Sequence, residues 1–184
     1  MFDRSVFPSG ERAAVVVRPA NTADAQAVAA LYVQSWRDTY LGIIPPDYLY
    51  TMSVSDHVRE FEQELADGHV FGFVAERRGR LEGFATGGPE RSGDSIYAGE
   101  IYTLYVRKTC QRRGIGSRLI MALASEFLRR DFHSLLVWVL MENPCRRFYE
   151  KRNGIFLRSR RTTFAGVLLD LAAYSWIHAG LLRM

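Results

Sequence analysis

Hydrophobic and polar positions recur with different periods along the chain, and the changes of period divide it into elements. Ala13 to Arg18 (AAVVVR) is a short β-branched run closed by Pro19, which predicts a first strand. Asn21 can cap the helix that follows, with Asp24 in its first turn. Val28, Leu31, Tyr32 and Trp36 then recur at helical spacing to about Asp38. Leu41 to Tyr50 (LGIIPPDYLY) carries paired prolines, which remove backbone donors and restrict the preceding residue, so regular helix is not expected there. A second helix sets Val54, Val58, Phe61 and Leu65 on one stripe and ends at Gly68.

From His69 the period falls to two. HVFGFVAE and LEGFATGG, joined by the charged turn RRGR, predict a hairpin, and Glu90 to Ser95 a polar loop. Glu100 to Arg107 (EIYTLYVR) reads as a fourth strand, with Glu100, Tyr102, Leu104 and Val106 on one face and Ile101, Thr103 and Tyr105 on the other. Gly114 to Phe132 is helical with a wide apolar face (Ile115, Leu119, Ile120, Leu123, Phe127, Leu128), the pattern of a helix lying on a sheet. Ser134 to Leu140 is a buried strand, Asn143 to Arg152 a short helix, and Ile155 to Thr163 and Leu168 to Ile177 two final strands. The order β α α β β β α β α β β gives a mixed α/β sheet in which the crossover helix makes strands four and five parallel neighbours.

Composition sets the outer bounds. With 184 residues, 48% hydrophobic and 24% charged, the chain fits one folded soluble domain that needs no metal or disulfide to hold its core. Cys110 and Cys145 lack C-x-x-C spacing, and His57, His69, His133 and His178 share no ligand spacing, so no metal is assigned and a reducing cytoplasmic setting is expected. MFDRSVFPSGER has no apolar run of signal-peptide length. Phe164 to Leu182 is long enough to span a membrane, but Asp170, His178 and two glycines interrupt it, so a buried strand is expected and no membrane partner.

The net charge of +4 comes from 24 basic residues, 22 of them Arg. A GC-rich codon bias explains such a total without any function, so position carries the information. Basic residues cluster at Arg107, Lys108, Arg112, Arg113 and Arg118, around the segment KTCQRRGIG that joins strand four to the crossover helix. Glycines at 114 and 116 open that helix, so unpaired backbone N–H groups can converge on an anion at the positive end of the dipole. The segment is neither G-x-x-x-x-G-K-[ST] nor a dinucleotide G-x-G-x-x-G loop; Q-x-x-G-x-G, Gln111 to Gly116, remains.

Strand EIYTLYV followed by QRRGIG and a long apolar helix resembles motif A of the GCN5-related N-acetyltransferase (GNAT) superfamily, and Asn143 with Phe148-Tyr149-Glu150-Lys151 resembles motif B. Trp36, Tyr40, Gly42, Pro45 and Leu49 are similar to the segment between the first two helices of many bacterial members. The resemblance implies a GNAT-like acyl-CoA N-acyltransferase fold over residues 13–184, after an N-terminal extension over 1–12. It implies about seven strands, helices on both faces, and strands four and five splayed apart. Acetyl-CoA is then the implied co-substrate. Gln111, Arg112, Arg113, Gly114, Ile115, Gly116 and Ser117 would hold its phosphates, with Arg118 also within reach. The backbone of Leu104, Tyr105 and Val106, with Asn143, would hold its pantetheine arm. Glu100 is implied as the base acting through water, Tyr149 as the acid that meets the departing thiolate, the Leu104 N–H as an oxyanion donor, and Trp36, Tyr40 and Tyr102 as walls of the acceptor pocket.

The resemblance implies as acceptor an amine of a small molecule or of a protein N-terminus or lysine, attacking directly in a ternary complex. Asn143 to Phe148 holds one residue fewer than members commonly have, about 100° of helical rotation. A catalytically silent acyl-CoA-binding module is the alternative on the same fold. A nucleic-acid partner would rest on charge alone and is not expected. The apolar last strand can pair within the sheet or across a homodimer.

Overall fold

The computed structural model describes residues 13–183; the expected extension over 1–12 lies outside the described residues. A seven-stranded sheet runs through it in the order β1-β2-β3-β4-β5-β7-β6. The strands are β1 (Val16–Pro19), β2 (Phe71–Arg77), β3 (Arg80–Pro89), β4 (Gly99–Val106), β5 (Leu135–Leu140), β6 (Ile155–Phe164) and β7 (Val167–Trp176). The helices are α1 (Ala25–Tyr40), α2 (Pro46–Thr51), α3 (Val54–Ala66), α4 (Ile115–Arg129) and α5 (Arg147–Glu150). All neighbouring strands are antiparallel except β4 and β5, which α4 joins as a parallel crossover.

Each face of the sheet buries its own layer. The apolar stripe of α4 (Ile115, Leu119, Ile120, Leu123, Phe127) packs on Ile101, Val137, Tyr174 and Trp176. On the other face, Val28 and Leu31 of α1 and Phe61 of α3 pack on Val74 and Phe84. Asn21 and Asp24 make the reciprocal cap before α1: the Asn21 Oδ1 accepts from the Ala23 N–H at 3.0 Å, and the Asp24 carboxylate accepts from the Asn21 N–H at 3.0 Å. The predicted hairpin turn falls at Arg78 and Gly79, both at positive φ as a two-residue turn between twisted strands requires.

Three expectations need correction. The proline segment does contain a helix, α2, because Pro46 occupies its first turn, where a missing N–H costs nothing. The predicted helix from Asn143 to Arg152 narrows to the four residues of α5, flanked by turns. Strand β4 does not alternate as expected. Thr86 faces Thr103 while Gly87 faces Ile101, so Tyr102 is an extra, bulged residue, and Ile101 joins Leu104 and Val106 on the α4 side. The Thr103 hydroxyl covers the gap, accepting from the Thr86 N–H at 3.1 Å and pairing with the Thr86 hydroxyl at 2.7 Å. The stretch from Phe164 to Leu182 is the end of a hairpin, and no helix among the described residues is long and apolar enough to cross a membrane.

Candidate active site

The bulge sits where the sheet opens. Strands β4 and β5 pair only over Gly99 to Ile101 with Leu135 to Val137, and beyond Ile101 they part. A cleft of about 210 Å³ fills the gap. Its walls are Leu104, Tyr105 and Val106 of β4, Ser35, Asp38 and Thr39 of α1, Lys108 and Gln111 of the loop after β4, and Asn143, Pro144 and Cys145 after β5. The cleft edge of β4 therefore presents backbone that β5 leaves unpaired, the arrangement an extended amide-bearing chain can join as a further strand.

At one end of this slot stands the N-terminus of α4. Gly114 caps it at φ +80° and brings no side chain to the helix's first N–H groups. Arg112 is left-handed too, at φ +60°. Gln111 braces the loop, its Nε2 donating to the Val106 carbonyl at 3.1 Å. A Cβ placed on Gly116 would meet only the Phe148 ring at 3.7 Å and Val106 at 3.8 Å, ordinary contacts, so internal packing does not require glycine there. Arg112 and Arg113 are exposed at this end, and Ile115 is buried beneath it. Arg118 is the basic residue of the cluster that turns elsewhere: its guanidinium donates to the Val15 carbonyl at 2.7 Å and anchors β1.

Tyr149 of α5 is 8% exposed, with its ring stacked on Tyr174 of β7, and it is not among the residues that line the cleft. Burial, followed by the neighbouring Tyr40 and Cys145, pushes its phenol well above the ordinary tyrosine range. Asn143 is at the cleft as expected, yet both ends of its amide are engaged: Nδ2 donates to the Tyr40 hydroxyl at 3.0 Å, and Oδ1 accepts from the Cys145 N–H at 2.8 Å. Tyr40 is accordingly buried beside Asn143, its ring edge-on to Trp36 at 5.0 Å. The Cys145 thiol is raised by burial, with Arg112 opposing.

Glu100 is buried, on the strand face opposite Ile101. It accepts from the Arg91 backbone at 3.1 Å and from the Arg91 guanidinium at 2.9 and 3.3 Å. The same guanidinium lies 3.5 Å over the Tyr102 ring, whose hydroxyl donates to the Pro89 carbonyl at 2.6 Å. Burial, against the pull of Arg91, lifts the Tyr102 phenol to about 12. Glu64 of α3 faces the same cluster, raised by burial while Arg91 opposes. Trp36 packs elsewhere, beside Tyr40 and with its ring 5.6 Å from that of Phe164, and its indole Nε1 is enclosed without a hydrogen-bond partner.

Sequence reasoning missed Arg91, Glu64 and the α1 wall. Only the last had a readable signal, the polar positions Ser35, Asp38 and Thr39 near the end of α1.

The site is thus a slot walled by strand backbone that β5 leaves unpaired, with the start of a long helix near one end. The model of the acetyltransferase (GNAT) family matches residues 29–155. The uncharacterized N-acetyltransferase YuaI of Bacillus subtilis (strain 168) is 36% identical over 164 residues, covering 88% of this chain and 92% of its own. Among solved structures, an N-acetyltransferase from Staphylococcus aureus Mu50 superposes with a TM-score of 0.70 at 24% identity, over 89% of this chain and 98% of its own. The yncA protein of Salmonella typhimurium, solved with its cofactor acetyl-CoA, does so at 0.66 and 21% identity, over 88% and 92%. The chain belongs to the GNAT family and is an N-acetyltransferase.

Proposed function

We propose that this N-acetyltransferase transfers the acetyl group of acetyl-CoA to a primary amine by direct attack in a ternary complex. The observation that carries the reading is the parting of β4 from β5 beside the uncapped start of α4. The N–H groups of residues 112–117, with the Arg112 and Arg113 side chains, bind the phosphates, and the β4 backbone from Leu104 to Val106 pairs with the pantetheine amides. The acceptor enters past Trp36, Tyr102 and the Arg91–Glu100 pair.

Glu100 takes the ammonium proton through water as Arg91 gives way, which frees the nitrogen lone pair for the thioester carbonyl. The Leu104 N–H holds the oxyanion; the C–S bond then breaks and Tyr149 supplies the proton that the sulfur receives. Free-thiol release from acetyl-CoA across a panel of amines, with mass spectrometry of the products, tests the whole. Tyr149→Phe lowers kcat about a hundredfold and leaves acetyl-CoA affinity within twofold. Tight acetyl-CoA binding without thiol release to any primary amine overturns the reading, and unchanged kcat in Tyr149→Phe overturns the acid.

A further inference from the structure

The sheet face that carries Glu100 continues across β5 to β6. Glu100 lies opposite Leu136 of β5, and alternation puts Trp138 on the same face, one strand and two residues away, a Cα separation of roughly 8 Å. Trp138 is the first residue of β5 past the last β4–β5 pair, Ile101 with Val137, so it stands where the two strands part. Further across, Trp138 faces Ala173 of β7, which faces Arg158 of β6. Arg158 and Arg160 share that face, with their guanidinium groups 5.6 Å and 4.1 Å from the centre of the Trp138 ring. The loop between β3 and β4 reaches both ends of the strip: Arg91 pairs with Glu100 at 2.9 Å, and Asp94 with Arg158 at 2.6 Å.

Charge is divided unequally along this strip. At the β4 end Arg91 pairs with Glu100 and has a second carboxylate, Glu64, near it. At the β6 end Arg158 and Arg160 have one carboxylate between them, Asp94, and Arg158 takes it. Among the described residues no carboxylate pairs with Arg160, which is exposed and rests on the indole ring. A guanidinium on a ring face keeps N–H donors available to an anion. One end of the strip thus suits an ammonium group and the other an anion, with a flat apolar ring between them.

We propose that the acceptor is an amino acid, an amine that also carries a carboxylate, bound with its nitrogen toward Glu100 and its carboxylate on Arg160 above Trp138. This rests on Glu100 and the β4–β5 parting as the place of reaction in the reading above. A single unpaired guanidinium matches the charge and the two oxygens of a carboxylate, which it can hold through two parallel N–H donors. A phosphate monoester, close to doubly charged at neutral pH, would call on the second guanidinium, which Asp94 occupies.

The test is kcat/KM for matched pairs: amino acids with the amine α, γ or ε to the carboxylate, each against the amine of the same chain without the carboxylate. In at least one pair the carboxylate is expected to raise kcat/KM about tenfold, chiefly through KM, and Arg160→Gln to bring the two members within about twofold of each other. Equal kcat/KM within every pair, or a preference for the amines without the carboxylate, overturns the proposal and leaves acetyl transfer to amines intact. A preference that survives Arg160→Gln overturns the assignment of the carboxylate to Arg160. Acetylation of no member of any pair, with acetyl-CoA bound, overturns the reading on which the proposal rests and the proposal with it.

Discussion

Gly114 and Gly116 stand two residues apart and answer to different constraints. Gly114 is glycine because φ +80° is costly for any side chain, and a Cβ there would meet nothing within 4 Å. Gly116 has helical backbone and room for a methyl, which would stand beside Phe148 and Val106 at the start of α4. Gly116→Ala should therefore fold at least as well as the parent, gaining roughly 0.5–1 kcal/mol of helix propensity, while its acetyl-CoA affinity falls tenfold or more. Gly114→Ala should lose about 1–2 kcal/mol in urea unfolding. Equal acetyl-CoA affinity in Gly116→Ala and the parent would leave that glycine without a ligand-side explanation. Both glycines were legible in the sequence because a helix start is a local event with local donors. Arg91 and Glu64 were not: Arg91 meets Glu100, and Glu64 comes near Arg91, only after a loop and a helix distant in the chain have packed, and neither falls in a motif.

At the scale of elements, legibility followed polarity. Helix α4 has one buried and one exposed face, so its stripe could be read from spacing alone. Strand β4 is covered on both faces. EIYTLYV alternates well enough for either register, so the bulge at Tyr102, which puts Ile101 on the α4 side and Glu100 opposite it, leaves no trace in the pattern. The turns around α5 were lost for another reason: Pro144 supplies no N–H and the Asn143 Oδ1 accepts from the Cys145 N–H, so the chain before α5 runs as turns rather than regular helix. The α4 stripe also carries its own prediction. Leu123 is fully buried between the helix and the sheet, and Leu123→Ala should cost about 2–5 kcal/mol, read as a lower urea midpoint at unchanged m. A loss below 1 kcal/mol would mean that the helix settles into the space and that the α4 layer is looser than its contacts indicate.

Across the whole molecule, the layer that carries Trp36 and Tyr40 is fastened to the sheet by one charged clasp at the start of α1. The Arg18 guanidinium of β1 holds the Asp24 carboxylate through two bonds of 2.8 Å and reaches Glu76 of β2 at 2.8 Å. Asp24 is 8% exposed, and its pairing with Arg18, ahead of the opposing burial, holds its carboxyl below the ordinary carboxylate range. A carboxyl whose folded pKa is depressed contributes stability at neutral pH, and loses it as pH falls from the unfolded carboxylate value through the folded one. Asp24→Asn keeps the size of the cap but not its charge, so it should cost about 1–3 kcal/mol at pH 7. The difference from the parent should shrink as pH is lowered from 5 toward 2, where the parent's Asp24 also becomes neutral. Urea unfolding of both proteins across that range checks the sign. A gap that stays constant down to pH 2 would assign the contribution of Asp24 to its hydrogen-bonding shape at the helix start, and the clasp would then hold α1 to the sheet without help from charge.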